Sequence, residues 1–426
     1  MLKNISYFIE KAQTKYPERK NLEGVLNTDI LIVGSGMAGL STAYALLNIV
    51  EPATITIIDS GRVGFSTTGL SSGLLVDNVE DNFYDANEGV YREIQMGLKG
   101  IVSTVEKENL LCDLKKVPSI YLATKKGHQT EMIKKEYEAR KKANFNVDLL
   151  DKEKLWKLHG LKAELAMINK EGYCFDSVSF CQELTKVLES KGVKIYEQTK
   201  ITGYNQRKKL AITSSGNINY KKIVLTNGFS PFEDNTLKEK VLLLSTAVAV
   251  TESLTTKQYK KIFSNGEYMG WDAPEYNYTY FRPAGEERIL IGGADRLISM
   301  ENMKKIAEDK SREKKYGEHI RKSFEKIFQN LKEVQFDYLW EGVIPAAIDS
   351  SPLIGEFAQD HYIGLYSPGL PYASRCGQII AQLISGKVPE SFSMFKYNRK
   401  MPLAKRIRAL ANHEPFTTLA NSLYFS

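Results

Sequence analysis

Cysteine is scarce. Cys112, Cys174, Cys181 and Cys376 are the only four in 426 residues, and no two make a C-x-x-C pair. That spacing argues against a disulfide frame or a zinc site and for reduced thiols. The five histidines show no H-x-x-x-H clustering, so no metal is expected. A secretory signal is missing too. MLKNISYFIEKAQTKYPERK has neither an apolar core nor a small-residue cleavage site, and a cytoplasmic location is the expectation. Residues 30–50 carry no charged side chain, yet they are no membrane span. Three glycines at turn spacing and polar Ser41, Thr42 and Asn48 interrupt them. Internal repeats are absent.

The remaining composition is that of a globular protein, with 42% hydrophobic and 26% charged residues. The length exceeds one ordinary core, so two domains are expected. Net charge is +7. Part of it lies in KYNRKMPLAKRIR, residues 396–408, a solvated surface segment that also allows weak contact with anionic lipid or an acidic partner. Beyond that patch nothing resembles a nucleic-acid reader.

What is present begins at DILIVGSGMAGL, residues 29–40. An apolar run meets Gly34, Gly36 and Gly39 in G-x-G-x-x-G spacing, an alanine-rich helix pattern follows, and TITIID ends at Asp59. Strand, glycine turn, helix, strand and acid in that order form a dinucleotide-binding unit. Gly34 permits the tight turn, Gly36 lets a pyrophosphate approach the backbone, and Gly39 lets helix pack on strand. The helix start, Met37 and Ala38, offers N–H groups and a positive dipole end to phosphate. The unit alone allows NAD, NADP or FAD.

Next comes SGRVGFSTTGLSSGLL, residues 60–75, a Gly/Ser/Thr loop that reads as a second cradle of N–H and hydroxyl donors. Helical spacing covers 85–111, 128–144 and 177–190. A short helix capped by Asp151 and stopped by Gly160 is also expected. Strands are expected at 117–124, 193–197, 221–228 and 241–250, with hairpins around Ser215-Gly216 and over 276–295. Residues 300–332 read as a long charged helix. Strand, loop, strand, glycine-proline turn and helix close the chain. Residues 1–28 read as a lead-in broken by Pro17 and Gly24.

The order GSGMAG, Asp59, STTGLSSG, VKIYEQTKI, IVLTNG, YFRPAGEERILIGG, WEGVIPAAIDSSPLIG and LYSPGLPYASRCG resembles the FAD-dependent oxidoreductases of the D-amino-acid-oxidase type, over nearly the whole chain. LEGVLNTDILIVG and FQNLKEVQFDYLWEG are most similar to the branch of gamma-glutamylputrescine oxidoreductases. The resemblance implies an α/β fold: a discontinuous Rossmann-like FAD-binding domain with an inserted, mainly antiparallel α+β substrate domain. The FAD-binding parts would be 1–105, 166–238 and 336–426, and the substrate parts 106–165 and 239–335. It implies FAD, with Asp59 and Ser60 at the adenosine ribose. Thr67, Thr68, Ser71, Ser72 and Gly73 would line pyrophosphate and ring, and Ile201 would meet the adenine. Thr226, Asn227 and Gly228 would lie by the pyrophosphate, and Gly342, Gly369 and Leu370 by the flavin. The last helix is expected to start near Ser374 and aim its dipole at the flavin pyrimidine, favouring the reduced ring.

The resemblance further implies oxidation of a C–N bond by hydride transfer to flavin, with the imine then hydrolysed. Tyr280 and Arg282 are the expected substrate-positioning residues. Trp271, Tyr276 and Tyr278 are candidates for an aromatic wall, and Trp340 and Glu341 would lie near the ring. Ile344 stands where relatives that hold an α-carboxylate carry arginine, and SPGLPYASRCG lacks a second such arginine. Both absences argue against a simple α-amino acid and for another small-molecule amine or a substituted amino acid. Leu70 replaces an arginine common in related loops. No cysteine lies in WEGVIPAAIDSSPLIG and no histidine in the cofactor loop, so FAD is expected to be held non-covalently. Two other readings stay open: a flavin-bound assembly protein without turnover, and a dehydrogenase that passes electrons to a membrane carrier.

Overall fold

The computed structural model describes residues 2–77, 82–85, 88–228, 237, 240–272, 279–299, 310–365, 369–401, 417 and 420, with the side chains of 310–313 left aside. Tyr276, Tyr278 and most of the basic segment after Met401 lie outside the described residues.

Two large sheets organise the chain. The first is built on parallel pairs: β1 (Gly24–Val33) with β2 (Ile55–Ile58) and with β12 (Gly216–Leu225), β2 with β9 (Lys194–Tyr196), and β12 with β19 (His361–Leu365). Antiparallel β10 (Ile201–Asn205), β11 (Leu210–Thr213) and β18 (Leu353–Ala358) extend it. The burial pattern explains the parallel core. Ile30–Val33 is a continuous apolar run and Ile55–Ile58 is broken only by Thr56, and both are buried throughout, as strands covered on both faces must be.

The second sheet is mainly antiparallel, in the order β17 (Phe336–Ala347), β13 (Val241–Thr251), β16 (Ile289–Leu297), β15 (Tyr280–Pro283), β14 (Met269–Asp272), β5 (Ser119–Ala123), β7 (Leu165–Asn169) and β6 (Val147–Asp151). Short β3 (Leu74–Leu75), β4 (Lys115–Lys116) and β8 (Tyr173–Cys174) pair in a third sheet.

Helices follow the expected signals closely where caps are explicit. Asp151 caps α6 (Lys152–His159) by accepting from the Lys154 amide, and Gly160 ends it at φ 63°. Asp176 accepts from the amides of Val178 and Ser179 to start α7 (Ser177–Ser190). The other described helices are α1 (Tyr7–Lys15), α2 (Met37–Leu46), α3 (Thr67–Leu70), α4 (Glu88–Glu108), α5 (His128–Lys142), α8 (Thr256–Ile262), α9 (Lys310–Ile327), α10 (Leu370–Ile384) and α11 (Phe392–Phe395).

Four expectations change. Helix α10 starts at Leu370, not near Ser374, because Gly369 takes the cap at φ 127° and Pro371 suits the first turn. The lead-in carries a docked helix, α1, with Tyr7, Phe8, Ile9 and Ala12 buried. Strand β17 pairs with β13 along its length, so residues 336–347 lie in the antiparallel sheet rather than with the third FAD-binding part. Likewise β7, at 165–169, pairs with β5 and β6, beyond the expected break at 165. Both strands sit at a change of sheet, which propensity cannot locate.

Helix α10 packs tightly between α2 and α4. A Cβ at Gly377 would stand 2.5 Å from the Thr42 amide nitrogen and 2.7 Å from the Ala38 carbonyl oxygen. Across from α2, buried Arg375 donates Nε–H to Glu93 Oε2 at 2.5 Å and Nη1–H to Gln378 Oε1 at 3.0 Å. A second buried pair, Arg140 with Glu136 (2.6 Å), adds Asp77 (3.2 Å) and fixes α5 against α4. Removing one partner of such a pair strands a buried charge. Glu93→Ala is therefore expected to lower unfolding free energy by about 3–5 kcal/mol in denaturant titration. Glu93→Leu with Arg375→Met should recover most of that loss. A single variant as stable as the parent would show that water relieves the pair.

Candidate functional site

Register assembles the first half of the site. Val33 is paired with Ile58 on one side and Leu225 on the other. The next residues, Gly34, Asp59 and Thr226, therefore leave the carboxyl edge of the sheet side by side. This is where open parallel sheets bind ligands. Hydrogen bonds fix the edge. Gly34 N donates to Ile58 O at 2.8 Å, and both Thr226 N and Thr226 Oγ1 donate to Val33 O at 2.9 Å.

The glycines do what their spacing predicts. Gly34 has φ 108°, and a Cβ on Gly39 would run into the Gly34 carbonyl oxygen, so helix and strand could not approach. Asp59 Oδ2 accepts from Ser35 N and Ser35 Oγ, both at 2.7 Å, and Oδ1 accepts from Gly61 N at 2.9 Å. A carboxylate has about four lone-pair sites, so capacity remains for a ribose hydroxyl. Thr199 N donates to Asp59 O at 2.7 Å, and two residues further on Ile201 begins β10, which sets it on the Asp59 side of the edge. Ser60 is exposed.

The Gly/Ser/Thr stretch is more ordered than a loop. Thr67–Leu70 form a helical turn, α3. Thr68 Oγ1 accepts from Met37 N at 3.2 Å, so the Met37 amide already has a partner. By helix geometry the amides of Ala38 and Gly39 have no intrahelical acceptor and stay available to an anion. Ser71 and Ser177 both donate to Thr68 O, at 2.7 and 2.8 Å.

The second sheet closes over this turn. Trp340 Nε1 donates to Leu70 O at 3.0 Å, and Leu70 Cβ would be 3.3 Å from a Cβ on Gly342. Leu70 is thus an apolar contact between the two halves. Arg282 behaves differently from its expected role. It is buried and donates Nε–H to Ser72 O, Nη1–H to Pro283 O at 2.8 Å and Nη2–H to Phe175 O at 3.0 Å. Its guanidinium carbon lies 4.9 Å from the Phe8 ring centroid. These contacts clamp Ser72 and Gly73 in place and occupy the Arg282 guanidinium.

Tyr280 is buried on β15, and its ring lies across β16 over Gly292, where any Cβ would overlap the phenol. Its hydroxyl bonds Ser72 and Thr246, and burial raises its pKa. Beside it the β13–β16 ladder slips. Ala247 faces Gly293 and Ser245 faces Arg296, so Thr246 is opposed by two residues, Ala294 and Asp295. Ala294 takes φ 59°, which is rare outside glycine. This bulge turns the Asp295 carboxylate to the Thr246 hydroxyl, and burial pushes its pKa up to about 6. Asp295 as a residue is half-buried, but its Oδ1 is closed from solvent and has no hydrogen-bond partner among the described residues.

Thr246 and Asp295 escape a reading by motif. The available signal was the Gly-Gly pair inside a strand pattern, which marks a bulge or a close approach. Trp271, on β14, stands 5.8 Å from the Tyr121 ring. Glu341 accepts from Ser245, which also meets the Tyr316 hydroxyl at 2.8 Å. Arg399, in the described part of the basic segment, donates to Asp349 and to the Pro352 and Ser351 carbonyls.

A dinucleotide cradle at the edge of a parallel sheet, roofed by an antiparallel sheet with buried Tyr280 and Trp340, defines a nucleotide-cofactor enzyme architecture. The chain belongs to the FAD dependent oxidoreductase (DAO) family, whose model matches residues 29–383. It is 24% identical over 416 residues to a probable oxidoreductase OrdL of Haemophilus influenzae, covering 92% of this chain and 90% of that one. It is 20% identical over 450 residues to gamma-glutamylputrescine oxidoreductase of Escherichia coli, covering 100% and 98%. Among solved structures, glycine oxidase from Geobacillus kaustophilus superposes with a TM-score of 0.74 at 15% identity, covering 88% of this chain and 100% of that one. The protein is an FAD-dependent oxidoreductase, and the cradle fits that cofactor. Among the described residues no helix is long and apolar enough to cross a membrane.

The Asp59 lone pairs give a direct check. Asp59→Ala should weaken FAD binding by about tenfold or more, the loss of a charge-assisted hydrogen bond. Titration of apoprotein followed by flavin fluorescence measures it, and unaltered affinity would remove Asp59 from the ribose site.

Proposed function

We infer that FAD lies non-covalently along the Gly34–Asp59–Thr226 edge and that the chain oxidises the C–N bond of an amine other than a simple α-amino acid. The adenosine half would lie by Asp59 and Ile201, the pyrophosphate by Ala38, Gly39 and the Thr67–Gly73 turn, and the flavin between Gly342 and the start of α10. Bound FAD supplies the two-electron acceptor for a hydride from the carbon beside nitrogen.

The residues of the chain do the rest. The roof of β13, β15, β16 and β17 excludes water. Tyr280 and Trp340 wall the space that would hold the reacting C–H. The N-terminus of α10 places its positive dipole end where reduction would leave negative charge.

One observation carries the substrate reading: the arginines around this space are already engaged. Arg282 is bound to three carbonyls, Arg375 is paired with Glu93, and Ile344 occupies the position where a carboxylate-holding arginine would be expected. An α-carboxylate buried here without a guanidinium would cost roughly 2–5 kcal/mol. An amine without one avoids that cost.

Anaerobic addition of substrate to the yellow holoenzyme tests this. Absorbance of oxidised flavin should bleach with primary or secondary amines lacking an α-carboxylate, and not with glycine, proline or alanine. Bleaching by those α-amino acids, or by no amine in a broad panel, would overturn the reading.

A further inference from the structure

The geometry points to Asp295 as the group that anchors the substrate ammonium and takes its proton before oxidation. This deepens the amine reading and rests on it.

Three independent features converge on the carboxylate. The first is placement. The bulge at Ala294–Asp295 brings an odd-register side chain to the face that Tyr280 and Thr246 share, and Tyr280 reaches Ser72 of the cofactor turn. Bulges re-aim side chains in this way, and a non-glycine residue at positive φ costs free energy that a purely structural strand would avoid.

The second is an unmet bond. Thr246 stands between the Tyr280 phenol and one side of the carboxylate, while Oδ1 is buried with no partner. A buried carboxylate oxygen without a donor is costly, and an N–H⁺ donor is the complement it lacks.

The third is charge. Among the described residues no cation pairs with Asp295. Of the charged and titratable groups on the elements packed around it, Tyr280 faces it. Arg296 lays its guanidinium 5.9 Å from the Tyr316 ring centroid, Glu341 turns to Ser245, and Arg282 is bound to carbonyls. His319 on α9 is held below its ordinary pKa by burial and by Arg296, so it is neutral at pH 7.

The chemistry follows. An amine reaches the site as R–CH₂–NH₃⁺, and its N–H⁺ proton passes to Asp295 Oδ1, leaving neutral amine and a carboxylic acid. Only the neutral amine has a nitrogen lone pair to support departure of hydride from the adjacent carbon. That hydride, with its two electrons, goes to the bound FAD, and the resulting iminium adds water to give a carbonyl compound and ammonia or an amine. A carboxyl group with a pKa near 6 is ionised before binding at pH 7–8 and still basic enough to share the proton.

The test compares wild-type and Asp295→Asn holoenzymes. Both should retain flavin with the same absorbance. For the variant, the anaerobic bleaching rate at pH 7.5 should fall at least a hundredfold and climb with pH towards the pKa of the free amine, whereas the wild type should level off above about pH 7. Equal rates with equal pH profiles would overturn the role of Asp295 and leave the amine reading intact. Failure of wild type to bleach with any amine would sink both.

A second measurement needs no variant. A tert-alkyl amine, which has no C–H beside nitrogen, is bound to wild-type holoenzyme at pH 8 in buffers of differing ionisation heat. Anchoring by ionised Asp295 predicts binding with no proton released. Release of one proton per amine bound overturns the proposal.

Discussion

The register of three parallel strands governs the structure. Because Val33, Ile58 and Leu225 are paired across β1, β2 and β12, three residues from distant parts of the chain arrive at one edge together. A one-residue slip would move both the apolar pattern and that edge. The slip is blocked from two directions. Every residue of Ile30–Val33 is buried on a covered sheet, and the Thr226 hydroxyl locks the end of β12 to Val33. The cofactor cradle is thus a consequence of how the core packs, and its geometry is as rigid as the sheet.

The second sheet depends on that edge through one short turn. Residues 66–73 touch α2 by Thr68, the roof by Leu70, and Arg282 by Ser72. Among the described residues Arg282 has no carboxylate partner at hydrogen-bond distance. Its guanidinium instead meets three carbonyls, which are acceptors a loop with tight glycines presents in abundance. A lysine could not span them, since its point charge lacks the planar fork. The arginine joins insert to cradle, so cofactor turn and substrate roof keep one relative position.

The sequence shows the fold and the cradle well because both rest on local signals. G-x-G-x-x-G after an apolar run, the cap at Asp151 and Gly160 at a helix end each act within a few residues. The helix start at Leu370 was misjudged because a glycine cap and a proline in the first turn compete with the later serine. The membership of β7 and β17 was misjudged because a strand does not encode which sheet it joins. At the site, the partners of Arg282 are not legible, since carbonyls at Ser72 and Phe175 carry no side-chain signature. Thr246 and Asp295 meet only because a bulge breaks the strand alternation, and alternation is the rule a sequence reading must assume.

That bulge places an acid outside the regular alternation of the sheet. A sheet laid over a flavin presents every second side chain to it, so reversing the charge of the site by substitution alone would require removing arginines and inserting an acid at an inward position. Here the inward positions hold Tyr280, Gly292, Thr246 and Trp340, and Arg282, two residues on from Tyr280, is taken up by the Ser72, Pro283 and Phe175 carbonyls. The acid comes from an outward register, brought in by one extra residue opposite Thr246. Of the arginines of the region, Arg375 is paired with Glu93, Arg282 is bound to carbonyls, and Arg296 lies by the Tyr316 ring. The strain at Ala294 and the unmet oxygen of Asp295 are then two sides of one arrangement, both set by the extra residue opposite Thr246.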